Sequence, residues 1–205
     1  MNDLSAGAAL LGIRGEPLIL ASASPRRRDL LRMLGIRHEA RAPGIAEGNR
    51  KASESPSSYV ERLAGEKAAC IAPSAPAYAV LGADTIVLLD GDVLEKPHDG
   101  KHAIDLVRRL SGRWHEVLTG VCLRRLADER TVVGHESSRV RFASLSLAEI
   151  EAYVATGEPL DKAGGYGIQG YGGLLVDRIE GCYFNVMGLP LARLRRLALE
   201  LEETS

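Results

Sequence analysis

The chain has 205 residues, 45% of them hydrophobic and 26% charged, which excludes a disordered chain and allows a sizeable buried core. The chain has 26 lysines and arginines and 27 acidic residues, so its formal net charge is −1. This charge produces no overall electrostatic attraction for nucleic acid or an anionic membrane surface. Only 4% of the residues are aromatic, which argues against a stacking surface for single-stranded nucleic acid.

The apolar runs and the cysteines indicate the compartment. No apolar run approaches the roughly 20 residues that a membrane span needs. The three cysteines are far apart and form no CxxC pair, a pattern typical of buried free thiols in a reducing compartment, so we expect a cytoplasmic protein. Residues 1–16 carry an acid where a signal peptide has basic residues, so they are predicted to be a loose extension before a single domain at 17–205.

Hydrophobic periodicity and turn residues predict a mixed α/β pattern over that domain. The pairs Ser24-Pro25 and Ser55-Pro56 are typical of helix starts, Ser146 with Glu149 forms a capping box, and Asp90-Gly91 is typical of a hairpin turn. In chain order the predicted elements are a strand at 17–22, a helix from 25 that ends at Gly35, a strand end and mobile loop within 41–55, a helix at 55–72, a strand at 79–89, a helix at 98–110, paired strands at 114–126 and 131–142, a helix at 146–154, a strand at 174–179 and a helix at 190–203.

Serines and arginines come together where the first strand meets the first helix. Ser22, Ser24 and Arg26–Arg28 supply hydroxyls and guanidinium groups next to the exposed N–H groups of a helix start. This combination suits a polyphosphate, and equally a capped helix with solvated arginines. The residues alone leave both interpretations open.

An acid and a threonine interrupt the most apolar segment of the chain, 79–89. Burying Asp84 is costly unless it is ionised beside a cation or metal, or acts as a base. A carboxylate there can activate water or hold a hard cation, and a structural ion pair is the alternative. Further charged residues that suit phosphate or metal binding are Glu47, Lys67, Lys96, Asp161 and Lys162.

The segment Gly157–Gly173 carries seven glycines. Each glycine loses much backbone freedom on folding, so this number of glycines lowers the stability of the folded chain. A functional reason is therefore expected. The segment places Asp161 and Lys162 close to Gln169, whose amide offers a donor and an acceptor that can read a pyrimidine edge. It contains no Walker A pattern.

Several segments, taken together and in this order, resemble the Maf family of nucleoside triphosphate pyrophosphatases. The segment KAGGYGIQG is similar to the subgroup that acts on dTTP and UTP, whereas the subgroup that acts on 7-methyl-GTP has a different sequence there. The resemblance spans about Leu18 to Leu197 and is carried by SASPRRRDLL (22–31), ADTIV (83–87), EKP (95–97), LSG with H-x-V-x-TG (110–120), GEPLDKAGGYGIQG (157–170) and NVMGLP (185–190).

The resemblance implies a Maf/ITPase-like α/β fold, with an elongated twisted sheet flanked by helices and two lobes around a central cleft. It implies hydrolysis of dTTP and UTP, modified pyrimidine nucleotides included, to the monophosphate and pyrophosphate, which would remove non-canonical nucleotides. A divalent cation, Mg²⁺ or Mn²⁺, and a homodimer are implied as well. Neither nucleic acid nor a membrane is expected as a partner.

The resemblance also assigns roles to residues. Asp84 falls on the catalytic acid that accepts a proton from water, and Asp84 with Glu47 would hold the metal, although PGIAEG around Glu47 departs from the family's more usual PDxDE. The predicted substrate-binding residues are Ser22, Arg26, Arg27, Lys67, Thr85, Lys96, Asp161, Lys162 and Gln169. Two other functions stay open: a phosphatase or kinase-like enzyme that uses the same arginines, and a non-catalytic nucleotide-binding regulator of cell division.

Overall fold

The computed structural model describes residues 6–13, 17–46 and 48–203, and within them the chain forms seven strands and seven α-helices. The strands are β1 (Leu18–Ala21), β2 (His38–Ala40), β3 (Val80–Leu89), β4 (Asp92–Leu94), β5 (Trp114–Arg125), β6 (Arg130–Phe142) and β7 (Val176–Glu180). The helices are α1 (Ala6–Leu11), α2 (Pro25–Met33), α3 (Pro56–Ile71), α4 (Gly100–Leu110), α5 (Leu147–Ala155), α6 (Tyr183–Val186) and α7 (Leu191–Glu202).

The strands form one sheet in the order β2-β1-β3-β5-β6-β7, with β4 paired to β3. Strand β1 runs parallel to β2 and β3, whereas β4 is antiparallel to β3 and β7 is antiparallel to β6. Parallel neighbours need a crossover connection, and here α2 joins β1 to β2 while α3 lies between β2 and β3. The predicted mixed α/β class, a sheet with flanking helices, is confirmed.

The chain divides into two compact units, each built from separate segments. The first unit is Met1–Asp84, Thr119–Glu136 and Gly188–Ser205, and the second is Thr85–Leu118 and Ser137–Met187. The divisions fall inside strands, so β3, β5 and β6 each pass from one unit into the other. The prediction of a single domain over 17–205 stays a prediction.

Each unit has its own apolar core. In the first, all four residues of β1 are buried, as are the residues of α3 and α7 at helical spacing. In the second, rings and aliphatic side chains of β5, β6 and α4 pack together, among them Val107, Leu110, Val117, Val140 and Phe142. Both cores include residues of β3, the strand that carries Asp84 and Thr85.

The local signals in the sequence act largely as expected. Ser55 accepts a hydrogen bond from the Ser58 amide at the start of α3, and the capping box of Ser146 and Glu149 is complete. Asp90 and Gly91 have φ angles of 53° and 89°, the left-handed conformation that a tight hairpin needs. Ser24 differs: it is the N-cap residue of α2, but its side chain makes no capping hydrogen bond.

The first residues are not a loose extension where the structure describes them. Residues 6–13 contain α1, which buries Ala8 and Leu11, and Ile13 after it is also buried. The reason is apolar area, since α1 packs against α7 and buries the side chains of Ala8 and Leu11. Of the cysteines, Cys122 is buried as predicted, whereas Cys70 is exposed.

Candidate functional site

Helix α3 lies directly on β3 in the first unit because Gly82 has no side chain. A Cβ added at Gly82 would lie 2.1 Å from the Ala64 carbonyl oxygen and 2.8 Å from the Ala68 amide nitrogen. Asp84, two residues further along the strand, points to the same face as Gly82. The close approach therefore brings the C-terminal half of α3, where Lys67 lies, over Asp84.

Lys67 and Asp84 form a buried ion pair. Nζ of Lys67 lies 2.5 Å from Oδ1 of Asp84, and the two side chains are 8% and 9% exposed. Burial strengthens the attraction and makes either charge costly without its partner. An ion pair at Asp84 was one of the alternatives that the sequence left open, and the predicted roles of Asp84 as base and metal ligand stay predictions.

Arg27 and Ser22 form a second contact among predicted residues of the first unit. Nη1 of Arg27 donates to the Ser22 hydroxyl at 3.1 Å, and its Nε donates to the carbonyl of Gly188 at 2.8 Å. The Ser22 oxygen also accepts from the Ser24 amide at 3.2 Å. Arg27 is buried by these contacts, so it fixes the junction of β1 and α2.

The other residues predicted in the first half differ in their surroundings. Arg26, at the start of α2, is half-buried. Thr85 is half-buried on β3 and begins the second unit. Glu47, the second predicted metal ligand, lies outside the described residues. Over the ranges 6–13, 17–46 and 48–203, no three His, Cys, Asp or Glu side chains are grouped closely enough to hold a metal ion by themselves.

The glycine-rich segment of the second unit is compact. Its described backbone winds through three short 3₁₀ turns, Glu158–Asp161, Ala163–Gly165 and Gly170–Leu175. Gly164 and Gly165 have φ angles of 67° and 72°, which other residues rarely adopt. The Gly164 amide donates to the carbonyl of Glu95 at 3.1 Å, so the segment lies beside the loop that carries the exposed Lys96.

Lys162 has protein partners within this segment. Its ammonium donates to the Asp161 carboxylate at 2.6 Å and to the Glu158 carbonyl at 2.5 Å. Its stem crosses Gly167, where an added Cβ would lie 2.6 Å from the Lys162 Cε. Gln169, two residues beyond that glycine, is exposed.

Glu158 is a structural residue that the sequence interpretation missed. Its carboxylate accepts from the amides of Tyr171 and Gly172 at 2.9 and 3.0 Å, and from the Tyr153 hydroxyl at 3.1 Å. Burial and the neighbouring Glu158 charge raise the pKa of Tyr153, so this hydroxyl remains a donor. An acid beside a glycine-rich stretch, where unpaired amides are abundant, is the signal that could have identified it.

Three rings pack under the same segment. His115 on β5, Phe142 on β6 and Tyr166 meet edge to face, and the Tyr166 hydroxyl lies 2.7 Å from Nε2 of His115. Burial lowers the pKa of His115 from 6.5 to about 4, so its ring is neutral at pH 7. Burial also raises the pKa of Tyr166, which keeps its hydroxyl protonated.

Comparison with known proteins identifies the family of this chain. The sequence profile of the Maf-like protein family matches residues 17–201. The chain belongs to the family of Maf-like proteins. All the predicted site residues of both units therefore lie within the Maf-like region.

Several named proteins are similar to this chain in sequence over most of its length. A dTTP/UTP pyrophosphatase of Symbiobacterium thermophilum is 52% identical over 87% of this chain and 90% of that protein. A protein of the same name from Escherichia coli O157:H7 is 52% identical over 85% of this chain and 87% of its own. Among solved structures, a nucleoside-triphosphatase, dITP/XTP pyrophosphatase, from Mycobacterium abscessus has 16% identity and a TM-score of 0.44, covering 91% of this chain and 99% of that chain.

Across the part of the Maf-like chain that the structure describes, no helix has both the length and the apolar character that crossing a membrane requires.

Proposed function

We propose that this protein hydrolyses dTTP and UTP between the α- and β-phosphates and releases the nucleoside monophosphate and pyrophosphate. The observation that carries the proposal is the 52% identity to relatives named dTTP/UTP pyrophosphatase over most of both chains. Modified pyrimidine triphosphates belong to the same substrate class, and their removal would keep non-canonical nucleotides out of the pool.

Asp84 is the residue proposed to accept the proton of the attacking water. Its carboxylate is buried, and its Oδ1 lies 2.5 Å from the Lys67 ammonium nitrogen. A base must reach the water that it deprotonates, and a carboxylate offers two oxygens for such contacts. Lys67 holds one of these oxygens and fixes the orientation of the group.

A divalent cation fits the donor chemistry at Asp84. Mg²⁺ binds through one or two carboxylates and completes its shell with substrate phosphates and waters, so a dedicated cluster of protein ligands is not required. Asp84 and Glu47 are the residues proposed to hold it. Such an ion would neutralise phosphate charge and lower the pKa of a bound water.

Cationic residues are proposed to neutralise the triphosphate. In the first unit, Arg26 lies at the N-terminus of α2, where backbone N–H groups and the helix dipole also favour an anion. In the second unit, Lys96 is exposed on the loop after β4. Ser22 and Thr85 supply hydroxyls. Arg27, Lys67, Asp161 and Lys162 are also proposed to bind substrate, and each has a protein partner in this structure.

Base selection is proposed for Gln169. Its side chain is exposed on a segment whose backbone is fixed by glycine conformations and by Glu158. An amide offers both a donor and an acceptor, as the edge of uracil or thymine requires. A purine would leave these groups unpaired, which lowers its turnover.

Product analysis tests the proposed reaction. A panel of ordinary and modified triphosphates is incubated with Mg²⁺ or Mn²⁺, and both pyrophosphate and orthophosphate are measured without a coupling enzyme. We expect pyrophosphate as the first product, with dTTP and UTP preferred over dGTP. Orthophosphate as the first product would indicate a phosphatase or kinase-like enzyme, and tight binding without turnover would indicate a nucleotide-binding regulator.

The assembly and location belong to the same proposal. A cytoplasmic homodimer is proposed from the family resemblance, and a formal charge of −1 gives no overall attraction for nucleic acid or an anionic membrane. Light scattering of the purified protein measures the oligomeric state directly, and a monomer at working concentration would reject the dimer without affecting the proposed reaction.

A further inference from the structure

Tyr166 links the middle of the glycine-rich segment to the sheet of the second unit. It is the one large side chain of residues 163–167, and it is 6% exposed. Its ring centroid lies 4.7 Å from that of Phe142 and 5.3 Å from that of His115, and its hydroxyl is hydrogen-bonded to Nε2 of His115. Tyr166 therefore attaches the segment to β5 and β6.

If His115 served only to fill the core, an apolar residue of similar size would give a more stable fold. His115 is buried, and its Nδ1 has no hydrogen-bond partner among the residues that the structure describes. A buried polar atom without a partner destabilises a fold, and a phenylalanine would fill the same space without that cost. What the histidine supplies beyond packing is the bond from Nε2 to Tyr166.

A second attachment lies on the other side of Gln169. The Glu158 carboxylate binds the amides of Tyr171 and Gly172, two and three residues after Gln169, while Tyr166 lies three residues before it. Gln169 itself is exposed. The backbone that carries its amide is thus held at both ends while the amide faces solvent.

We propose that His115 is a positioning residue for base selection, acting through its hydrogen bond to Tyr166 to fix the backbone that carries Gln169. The inference rests on the proposed function, because it requires that Gln169 reads the base. A fixed amide rejects a base that leaves it unpaired, whereas a mobile amide can adapt to several bases. Loss of the bond therefore lowers discrimination between bases more than it lowers turnover of the preferred substrate.

The substitution Tyr166→Phe tests this directly, since it removes one hydroxyl and keeps the three rings. We expect the ratio of kcat/KM for dTTP to that for dGTP to fall about three- to tenfold, the effect of one hydrogen bond, with kcat for dTTP nearly unchanged. Tyr171→Phe is the matched control, because its ring is exposed in the same segment, and it should leave the ratio unchanged.

His115→Phe removes the same bond from the other side and should lower the ratio by a similar factor. The double variant Tyr166→Phe/His115→Phe should discriminate no worse than either single variant, because all three lack the same bond. Equal losses of kcat/KM for dTTP and dGTP in Tyr166→Phe would show a structural role only, and would overturn the inference.

Gln169→Ala, measured in parallel, separates this inference from the proposed function. If Gln169→Ala alters the ratio and Tyr166→Phe does not, the positioning role is wrong while base reading stands. If Gln169→Ala leaves the ratio unchanged, both the base-reading role of Gln169 and the positioning role of His115 are wrong. The proposed reaction is then still tested by pyrophosphate release from dTTP. Amide exchange over residues 167–170 needs no turnover: it should be faster in Tyr166→Phe than in wild type, and unchanged exchange overturns the inference.

Discussion

The buried pair of Asp84 and Lys67 couples any change of charge at this position to the stability of the first unit. Removing the carboxylate takes away the counter-charge that Asp84 supplies to the buried ammonium of Lys67. A loss of activity in such a variant would therefore have two explanations, a missing base and a weakened fold. Replacing both members of the pair can separate the two explanations.

We predict that Asp84→Asn lowers kcat by a factor of about 10² or more and lowers the free energy of unfolding by about 3 kcal/mol. The double variant Asp84→Asn/Lys67→Met should regain most of that stability, since an apolar side chain can replace a buried charge, yet remain inactive. Urea unfolding and pyrophosphate release measure the two effects. Near-normal turnover in the double variant would remove Asp84 from the chemistry.

His115 makes the second unit sensitive to acid. Its pKa is about 4 in the folded protein and 6.5 when the ring is in solvent, so below pH 6.5 the unfolded chain takes up the proton first. The stabilising effect of the neutral ring is complete above pH 6.5 and is lost as the pH falls towards 4. Between pH 7 and pH 5 this one group should lower the free energy of unfolding by about 2 kcal/mol.

The comparison with His115→Phe isolates that effect. Phenylalanine cannot be protonated, so the variant should lose about 2 kcal/mol less than the wild type between pH 7 and pH 5. Urea unfolding at the two pH values is the measurement. Parallel losses in both proteins would mean that His115 is protonated at a similar pH in the folded and unfolded chains.

At the scale of elements, α3 approaches the sheet at two glycines. A Cβ at Gly82 on β3 would lie 2.1 Å from the Ala64 oxygen, and one at Gly120 on β5 would lie 2.2 Å from the Val60 oxygen. Both obstacles are backbone atoms of the helix, which cannot move away as a flexible side chain does. The two glycines therefore set the distance between α3 and the strands, and with it the contact of Lys67 with Asp84.

We predict that Gly82→Ala lowers the free energy of unfolding by about 3 kcal/mol and lowers turnover, because the helix must move away from β3. Gly65→Ala is the matched control in the same helix: its added Cβ meets no atom within 4 Å, and alanine favours the helix. That control should raise the free energy of unfolding by about 0.5–1 kcal/mol. Thermal unfolding of both variants measures the difference, and equal effects would contradict the role assigned to Gly82.

Most elements were predictable from the sequence because their signals are local. Ser55-Pro56 and the capping box at Ser146 mark helix starts within one turn, and Asp90-Gly91 encodes its own turn. Helix α1 was missed because a six-residue helix shows less than two turns of periodicity. Its place is decided by packing against α7, far along the chain.

The site was predictable only as a set of residue types. Asp84 is unusual in an apolar strand, and that alone marks it as a candidate. Its pairing with Lys67 depends on how close α3 comes to β3, which no local pattern contains. In the same way, the sequence marks the arginines at the start of α2 but not that Arg27 turns inward to Ser22 and Gly188.

At the scale of the whole molecule, the two units share three strands, β3, β5 and β6. We predict that the protein unfolds in a single transition, because a shared strand cannot lose its structure in one unit without disturbing the other. Trp114, the one tryptophan, lies in the second unit and reports on it by fluorescence, while circular dichroism reports on the whole chain. The two urea curves should coincide, and two separate midpoints would contradict the prediction.

The order of segments along the chain has a consequence for folding during synthesis. The second unit is complete once Met187 has left the ribosome, whereas the first unit still lacks Gly188–Ser205. Those residues include α7, whose Leu194, Leu197 and Leu201 fill the core of the first unit, and Gly188, which accepts the hydrogen bond of Arg27. A nascent chain stalled near its end would thus have the whole second unit synthesised and the first unit without α7. Because the two units share strands, the chain would stay accessible to chaperones and proteases until that helix is made.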